Sequence, residues 1–284
     1  MERNHERFFH VTEWPVDDIY DFDGRPVRYG VTGSGRPLVV VHGTPWSSYN
    51  LRHLIRGLSD DFTVFYYDMV GYGESDKRPG DVSLGVQNEL LARLVAHWGL
   101  SSPYAVGHDF GGATVLRGML LNGLKFAGVA LIDPVALSPW GSPFFRHVKR
   151  HEDAFSGLPD YIHEAVVRAY VGDAGHVPLA PEVLARTVRP WLSVDGKGAF
   201  YRQIAQADSR YTRQVEPLYR DVNVPVLILW GEDDTWIPIE RGRTLAGMVP
   251  DAEFYSIPDA GHLVIEERPD ALLARLAAFF TRSS

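Results

Sequence analysis

The stretch from Tyr104 to Gly112 constrains the fold of this chain more than any other. It reads Tyr-Ala-Val-Gly-His-Asp-Phe-Gly-Gly, an apolar run followed by Gly-x-Asp-x-Gly and then a helical pattern. This arrangement predicts a strand that turns sharply into a helix and raises the side chain of Asp109 at the turn. A carboxylate there favours attack on an sp3 carbon and an ester intermediate, whereas a serine would form an acyl enzyme. The alternative is an aspartate that only caps the helix.

Short apolar runs with strand character alternate with helical patterns along most of the chain. Strands are predicted at 27–31, 38–41, 63–67, 104–106, 129–132, 226–230 and 253–257, and the pair Asp23-Gly24 predicts an early hairpin. Strands that alternate with helices form right-handed crossovers and a mainly parallel sheet. We therefore predict an α/β fold with a mostly parallel eight-stranded sheet.

The alternation breaks between residues 137 and 217, where several helices and no strand are predicted. We interpret this stretch as a helical lid inserted after the sixth strand. The predicted division is a first core part at 1–136, the lid at 137–217 and a second core part at 218–284. Such an insertion would lie over the carboxyl ends of the strands, where open α/β sheets bind ligands.

Composition narrows the function classes. The chain has 284 residues, a formal net charge of −8 and no cysteine. The negative charge argues against a nucleic-acid partner, and the lack of cysteine excludes disulfides and thiol catalysis and fits a cytoplasmic location. From the sequence we expect no membrane span, no secretory signal and no metal site built from clustered histidines. We expect a small, largely apolar and neutral substrate, with water as the second reactant and no cofactor, metal or membrane, and the sequence leaves a homodimer open.

Two loops at strand ends could complete a reaction centre around Asp109. The run His42-Gly43-Thr44-Pro45 follows a predicted strand, and the backbone N–H groups of Thr44 and Phe110 are the expected donors to an oxyanion. The alternative for His42-Gly43 is a simple turn at the strand end.

A carboxylate and a histidine follow later strands. Asp234 lies in the loop after the strand at 226–230, and His262 follows the last strand. A loop carboxylate can accept the Nδ1–H of a histidine and hold the tautomer needed for base catalysis. Asp133, also at a strand end, is the rival acid, although an aspartate before a proline also suits a turn. The chain order Asp109, Asp234, His262 is that of nucleophile, acid and histidine in one large hydrolase fold.

With these motifs the whole chain resembles the α/β-hydrolase superfamily, in particular its Asp-nucleophile branch. That branch holds epoxide hydrolases, haloalkane dehalogenases and fluoroacetate dehalogenases. The segments 45–49 and 74–77 look like haloalkane dehalogenase sequence. However, those enzymes usually carry a tryptophan after the nucleophile and an asparagine in the second halide contact, where this chain has Phe110 and Thr44. Fluoroacetate dehalogenases carry arginines just after the nucleophile, and 110–114 has none.

The predicted lid carries a further resemblance. Ala199-Phe200-Tyr201-Arg202 is similar to an element of epoxide hydrolase lids in which the tyrosine hydroxyl bonds the epoxide oxygen. A phenol with a pKa near 10 suits donation to the alkoxide that forms when an epoxide opens. The resemblance implies a second lid donor, for which His151 is the first choice and Tyr161 the alternative. The structural alternatives are a packed Tyr201 and a solvated His151.

Trp46 and Trp140 are candidates for an apolar pocket wall, although large aromatic residues more often belong to the core. The favoured function is a cofactor-free hydrolase that opens an epoxide to a diol through an alkyl ester on Asp109. A haloalkane dehalogenase with the same three residues is the alternative. A catalytically silent member of the fold that binds a small ligand is a third interpretation, because fold does not imply function.

Overall fold

The computed structural model describes residues 14–282. Its centre is an eight-stranded sheet with the strand order β1-β2-β4-β3-β5-β6-β7-β8. Within this sheet β2 runs opposite to the other strands, so the sheet is mostly parallel as predicted. The strands are β1 (Asp18–Phe22), β2 (Arg25–Gly33), β3 (Arg36–Val41), β4 (Phe62–Tyr67), β5 (Tyr104–His108), β6 (Gly128–Ile132), β7 (Val226–Gly231) and β8 (Glu253–Ile257).

The central strands are continuous apolar runs. All residues of β5, β6 and β7 are buried, as expected for parallel strands that are covered on both faces. The hairpin between β1 and β2 has the predicted two-residue turn, because Phe22 pairs with Arg25. Asp23 and Gly24 both have positive φ angles, which is the conformation that Asp-Gly pairs favour in hairpins.

Helices cover both faces of the sheet. One layer includes α1 (Arg52–Leu58), which packs against the C-terminal helix α12 (Pro269–Arg282). The other layer includes α2 (Leu84–His97) and α3 (Phe110–Asn122), which pack against each other. Helix α10 (Glu240–Met248) lies between β7 and β8 in the chain, and α11 (Val264–Glu267) lies between β8 and α12. No helix within residues 14–282 is both long and apolar enough to span a bilayer.

The chain between β6 and β7 is entirely helical in its regular structure. Its helices are α4 (Pro143–Arg150), α5 (Glu152–Ser156), α6 (Asp160–Gly172), α7 (Pro181–Val188), α8 (Gly196–Ala205) and α9 (Arg210–Arg213), with 3-10 turns at Arg189–Leu192 and Glu216–Asp221. We call the stretch from Pro143 to Asp221 the helical insertion. Helix α4 begins with Pro143 at its first position, and the Ser142 hydroxyl caps it by accepting from the Phe145 amide.

Candidate active site

Asp109 stands alone between β5 and α3. Its backbone has φ 52° and ψ −119°, a conformation that costs energy for any residue with a side chain. The flanking glycines make the turn feasible. A Cβ at Gly107 would lie 2.6 Å from the carbonyl oxygen of Gly111, and a Cβ at Gly111 would lie 2.0 Å from that of Val41. The spacing Gly-x-Asp-x-Gly is therefore a steric requirement of this strand-to-helix turn, and it places the Asp109 carboxylate above the sheet.

His262 and Asp234 form a buried hydrogen-bonded pair. The Nδ1–H of His262 donates to Oδ2 of Asp234 at 2.8 Å. The other oxygen of Asp234 accepts the backbone N–H groups of Trp236 and Ile237, each at 2.8 Å. Because both oxygens of the carboxylate are engaged, its orientation is fixed, and the neutral imidazole, when it forms, is held in the tautomer whose Nε2 can accept a proton.

The two oxygens of Asp109 have different partners. Oδ2 lies 3.3 Å from Nε2 of His262, and Oδ1 accepts the backbone N–H of Thr44 at 2.7 Å. Only 3% of Asp109 is exposed, and His262 is fully buried. This arrangement directs one oxygen toward the histidine side of the site and keeps the other on a backbone donor.

The protonation of His262 depends on these carboxylates. Burial alone would lower its pKa, but the charge and hydrogen bond of Asp234, together with the nearby Asp109 carboxylate, outweigh it and raise the pKa well above 6.5. An ionised Asp109 therefore favours the imidazolium, which carries a proton on both ring nitrogens. Neutralising Asp109 would remove part of this stabilisation and let the ring act as a base.

Thr44 and Phe110, the predicted oxyanion donors, line the same cavity as Asp109. The Thr44 amide holds Oδ1 of Asp109. Phe110 is the first residue of α3, so its N–H belongs to the first helical turn, whose N–H groups have no acceptor within the helix. The structure therefore shows one backbone donor at the carboxylate, from Thr44, and a second N–H without a helical acceptor in the residue that follows Asp109.

Asp133, the rival acid, lies at the neighbouring strand end. It is fully buried, and its Oδ1 accepts the backbone N–H of Gly231 at 2.9 Å. Burial, and then the charge of Asp234, raise the pKa of Asp133 well above its usual value, which favours the neutral acid. The carboxylate that hydrogen-bonds His262 is Asp234.

A cavity of about 780 Å³ opens beside Asp109. Its walls come from the loops after β6 and β7 and from the helical insertion, and Thr44, Asp109 and Phe110 line it as well. Aromatic side chains form much of the wall: Trp140, Phe144, Phe145, Tyr170, Trp230 and Trp236. A mainly apolar wall with a few polar groups near a carboxylate is typical of a small-molecule site.

A family model described as α/β hydrolase fold matches residues 36–269. The chain belongs to the α/β-hydrolase fold family. A solved α/β hydrolase fold protein from Burkholderia ambifaria is 46% identical to it, with a TM-score of 0.91, and the match covers 93% of this chain and 97% of that one.

Two characterised relatives have different activities in their names. This α/β hydrolase is 27% identical over 286 residues to a cis-3-alkyl-4-alkyloxetan-2-one decarboxylase from Xanthomonas campestris, with 88% of this chain and 89% of the relative covered. It is 36% identical over 91 residues to a soluble epoxide hydrolase from Corynebacterium sp., with 32% of each chain covered. The names of these relatives describe different reactions. Similarity to them therefore does not identify the reaction of this chain, which has to be inferred from the geometry of the site.

The structure of this α/β hydrolase does not bring the predicted lid donors together, which corrects that expectation. The Tyr201 hydroxyl is buried and bonds Nδ1 of His163 at 2.9 Å, while Nε2 of His163 bonds the Trp191 carbonyl at 3.0 Å. His151 directly follows α4, where its exposed ring packs on that of His147, with centroids 4.9 Å apart. Tyr161 is 74% exposed. None of the three predicted donors lines the cavity.

Of the two tryptophans predicted to form the pocket wall, one lines the cavity and the other does not. Trp140 lines the cavity, packs edge-on against Phe110 and donates its indole N–H to Thr212 at 3.0 Å. Trp46 is buried and stacks on Trp236, with ring centroids 5.9 Å apart, but does not line the cavity. Trp46 therefore supports the wall from behind, while Trp140 forms part of it.

Tyr170 is the lid tyrosine that the sequence analysis missed. It lies on α6, lines the cavity and stacks on Trp236 with ring centroids 4.6 Å apart. Burial, and then the charge of Asp109, raise the pKa of Tyr170 well above 10, so the phenol remains protonated. A signal existed in the sequence: Tyr170 follows the buried Val167 by three residues, so both lie on the inner face of α6.

Proposed function

We propose that this α/β hydrolase opens an epoxide to a diol through a covalent alkyl ester on Asp109. The observation that carries the proposal is the separate engagement of the two Asp109 oxygens. Oδ1 is held by the Thr44 amide at 2.7 Å, and Oδ2 lies 3.3 Å from Nε2 of His262. A carboxylate with one oxygen anchored and the other at the cavity is arranged for attack on carbon.

In the first step Oδ2 of Asp109 attacks an epoxide carbon, and the carbon–oxygen bond of the ring breaks with its electron pair on the leaving oxygen. Tyr170 lines the cavity, and its hydroxyl gives its proton to this alkoxide. Esterification removes the negative charge of Asp109. The proton of the His262 imidazolium then restores the Tyr170 phenol, directly or through water, and leaves His262 neutral.

In the second step neutral His262, oriented by Asp234, takes a proton from a water molecule that attacks the ester carbon of Asp109. The tetrahedral oxyanion is stabilised by the Thr44 and Phe110 amides. Collapse of this intermediate breaks the bond to the alkyl oxygen, which leaves as the diol with the proton from His262. The oxygen that the water supplied stays in the Asp109 carboxyl group. The second proton of that water passes from this carboxyl group to His262, which restores the ionised Asp109 and the His262 imidazolium.

The haloalkane alternative has less support in the cavity wall. A halide needs N–H or O–H donors beside the nucleophile, and Phe110 has none on its side chain. The three tryptophans of the wall already donate their indole N–H groups: Trp140 to Thr212 at 3.0 Å, Trp230 to Ile237 at 2.9 Å and Trp236 to Asp173 at 3.2 Å. The Tyr170 hydroxyl suits an oxygen leaving group better, because an alkoxide gains more than a halide from proton donation.

A single turnover in ¹⁸O-labelled water tests the covalent mechanism. We expect the label in the Asp109 carboxylate and none in the first diol released, and we expect the His262→Gln variant to accumulate an Asp109 adduct of substrate mass. Label in the first diol, without label in Asp109, would contradict the proposal. A parallel screen of epoxides and haloalkanes with the parent enzyme measures diol formation and halide release. Halide release faster than diol formation would show that haloalkanes, and not epoxides, are the preferred substrates.

A further inference from the structure

Gln203 connects the helical insertion to the loop that carries Thr44. It lies on α8, is 2% exposed and accepts the Thr44 hydroxyl on Oε1 at 2.5 Å. The same oxygen accepts the hydroxyl of Tyr72 at 3.2 Å. One side-chain carbonyl of the insertion therefore accepts hydrogen bonds from two hydroxyl groups of the core.

The nitrogen of the Gln203 side-chain amide makes no hydrogen bond within residues 14–282. Its Nε2 is buried and has no hydrogen-bond partner in the part of the chain that the structure describes. An unpaired buried donor destabilises a fold, so this side chain is not arranged for stability alone. Such a cost is expected where a group is held in place for function.

The loop after β3 is fixed by the insertion at a second point. The indole N–H of Trp191 donates to the carbonyl of Pro45 at 2.9 Å. Consecutive residues Thr44 and Pro45 are thus held from the insertion, one through its side chain and one through its backbone. The N–H that contacts Oδ1 of Asp109 belongs to Thr44 itself. A displacement of this loop would therefore move the oxyanion donor.

We infer that Gln203 is a positioning residue for the oxyanion: it acts through the Thr44 hydroxyl to hold the Thr44 amide at the ester carbonyl of Asp109. This inference rests on the proposed function. The oxyanion forms only when water attacks the ester, so the contribution of Gln203 falls on the second step. Attack on the epoxide uses the other oxygen of Asp109 and does not depend on the Thr44 donor to the same degree.

The test compares the two steps in Gln203→Met, which keeps side-chain length and removes both hydrogen bonds. We expect ester hydrolysis to slow roughly 10- to 100-fold, alkylation to stay within about 3-fold of the parent, and the Asp109 adduct to accumulate during turnover. Rapid-quench sampling with intact mass measures the two rates. Thr44→Val removes the bond to Gln203 from the other side and should also slow hydrolysis, whereas Thr44→Ser keeps the hydroxyl and should slow it much less than Thr44→Val.

A double variant and a matched control complete the test. Gln203→Met combined with Thr44→Val should slow hydrolysis no more than Gln203→Met alone, because the bond that Thr44→Val deletes is already absent in Gln203→Met. Thr187→Val deletes another buried bond between insertion and core, the contact with Asn50 at 2.9 Å, and should leave hydrolysis unchanged.

Three results would overturn the inference. The first is a parental hydrolysis rate in folded Gln203→Met, the second is equal slowing of both steps, and the third is additive effects of the Gln203 and Thr44 changes. Failure of the proposed function has a different signature, because the parent enzyme and its His262→Gln variant would then form no Asp109 adduct at all.

Discussion

Two regions meet at the cavity, and different forces fix their side chains. Asp109, Asp234 and His262 lie on turns directly after β5, β7 and β8, so the sheet sets their positions through the backbone. Tyr170 and Gln203 lie on helices of the insertion, where the rotation of each helix about its axis decides which side chain faces inward. The order of the strands thus determines where the three residues at the strand ends lie. The positions of the two insertion side chains depend instead on how the helices pack. The following experiments test this difference.

The largest effect is expected at the centre of the strand-end region. Asp109→Asn replaces the charged carboxylate, which carries the attacking oxygen, by a neutral amide of nearly the same shape. We expect turnover of the best epoxide to fall by at least about 10,000-fold, because the substitution removes the carboxylate that forms the ester. Steady-state diol formation measures the change, with intact mass used to exclude deamidation back to aspartate. Turnover within tenfold of the parent would mean that Asp109 is not the nucleophile.

The second prediction separates two neighbouring strand ends. Asp234→Asn should slow ester hydrolysis about 1,000- to 10,000-fold, because an amide favours the wrong tautomer of His262. Asp133→Asn should cost less than about 10-fold, since the residue it replaces is held neutral and an amide oxygen can still accept from Gly231. Single-turnover rates decide between them. The reverse order of effects would make Asp133 the acid.

The third prediction concerns the insertion. Tyr170→Phe should slow alkylation about 100-fold, because the developing alkoxide loses its proton donor. Tyr201→Phe is the matched control, since its hydroxyl bonds His163 and lies outside the cavity wall. It should change alkylation less than about 3-fold and lower the free energy of unfolding by about 1 kcal/mol. If the Tyr201 variant alone alkylates slowly, the original sequence prediction was right and Tyr170 is a wall residue.

The smallest effect is a displacement of a pH profile. Ester hydrolysis needs neutral His262, so its rate should fall as the pH drops through the pKa of His262 in the ester form. The charge of Asp234 raises that pKa. Asp234→Asn should therefore move the acid limb to lower pH by about 1 to 3 units, in addition to the slower rate. In Asp133→Asn the limb should stay in place, because a neutral Asp133 contributes no charge to remove.

Much of the sheet and its strand ends could be predicted because local rules and topology act together there. Asp23-Gly24 specifies a two-residue hairpin, alternation of strands and helices specifies parallel pairing, and the spacing around Asp109 leaves few other turns. Chain order then predicted that Asp234 and His262 lie near Asp109. In the structure Asp234 lies 2.8 Å from Nδ1 of His262, and Nε2 of the same ring lies 3.3 Å from Asp109.

The insertion could be predicted as helical but not in its contacts. Tyr201 matched a short family element, yet α8 turns that side chain toward His163 and leaves Gln203 on the side of Thr44. Nothing local to the Tyr201 segment distinguishes these two directions, since they depend on where α6 packs. The helical spacing of α6 puts Tyr170 on the same face as Val167, but the sequence does not tell which element that face contacts, and its neighbour Trp236 is distant in sequence.

The attachment of Thr44 and Pro45 to the insertion limits how substrate range can be engineered in this enzyme. Exchanging the whole insertion for that of a relative would replace the partners Gln203 and Trp191 together with the cavity wall. A chimera made in this way should alkylate new substrates yet release product slowly, unless the incoming segment carries an acceptor for the Thr44 hydroxyl. Mutations confined to Phe144 and Phe145, which line the cavity and pack on Tyr170, keep Gln203 and Trp191 in place and offer a route to new specificity that leaves ester hydrolysis intact.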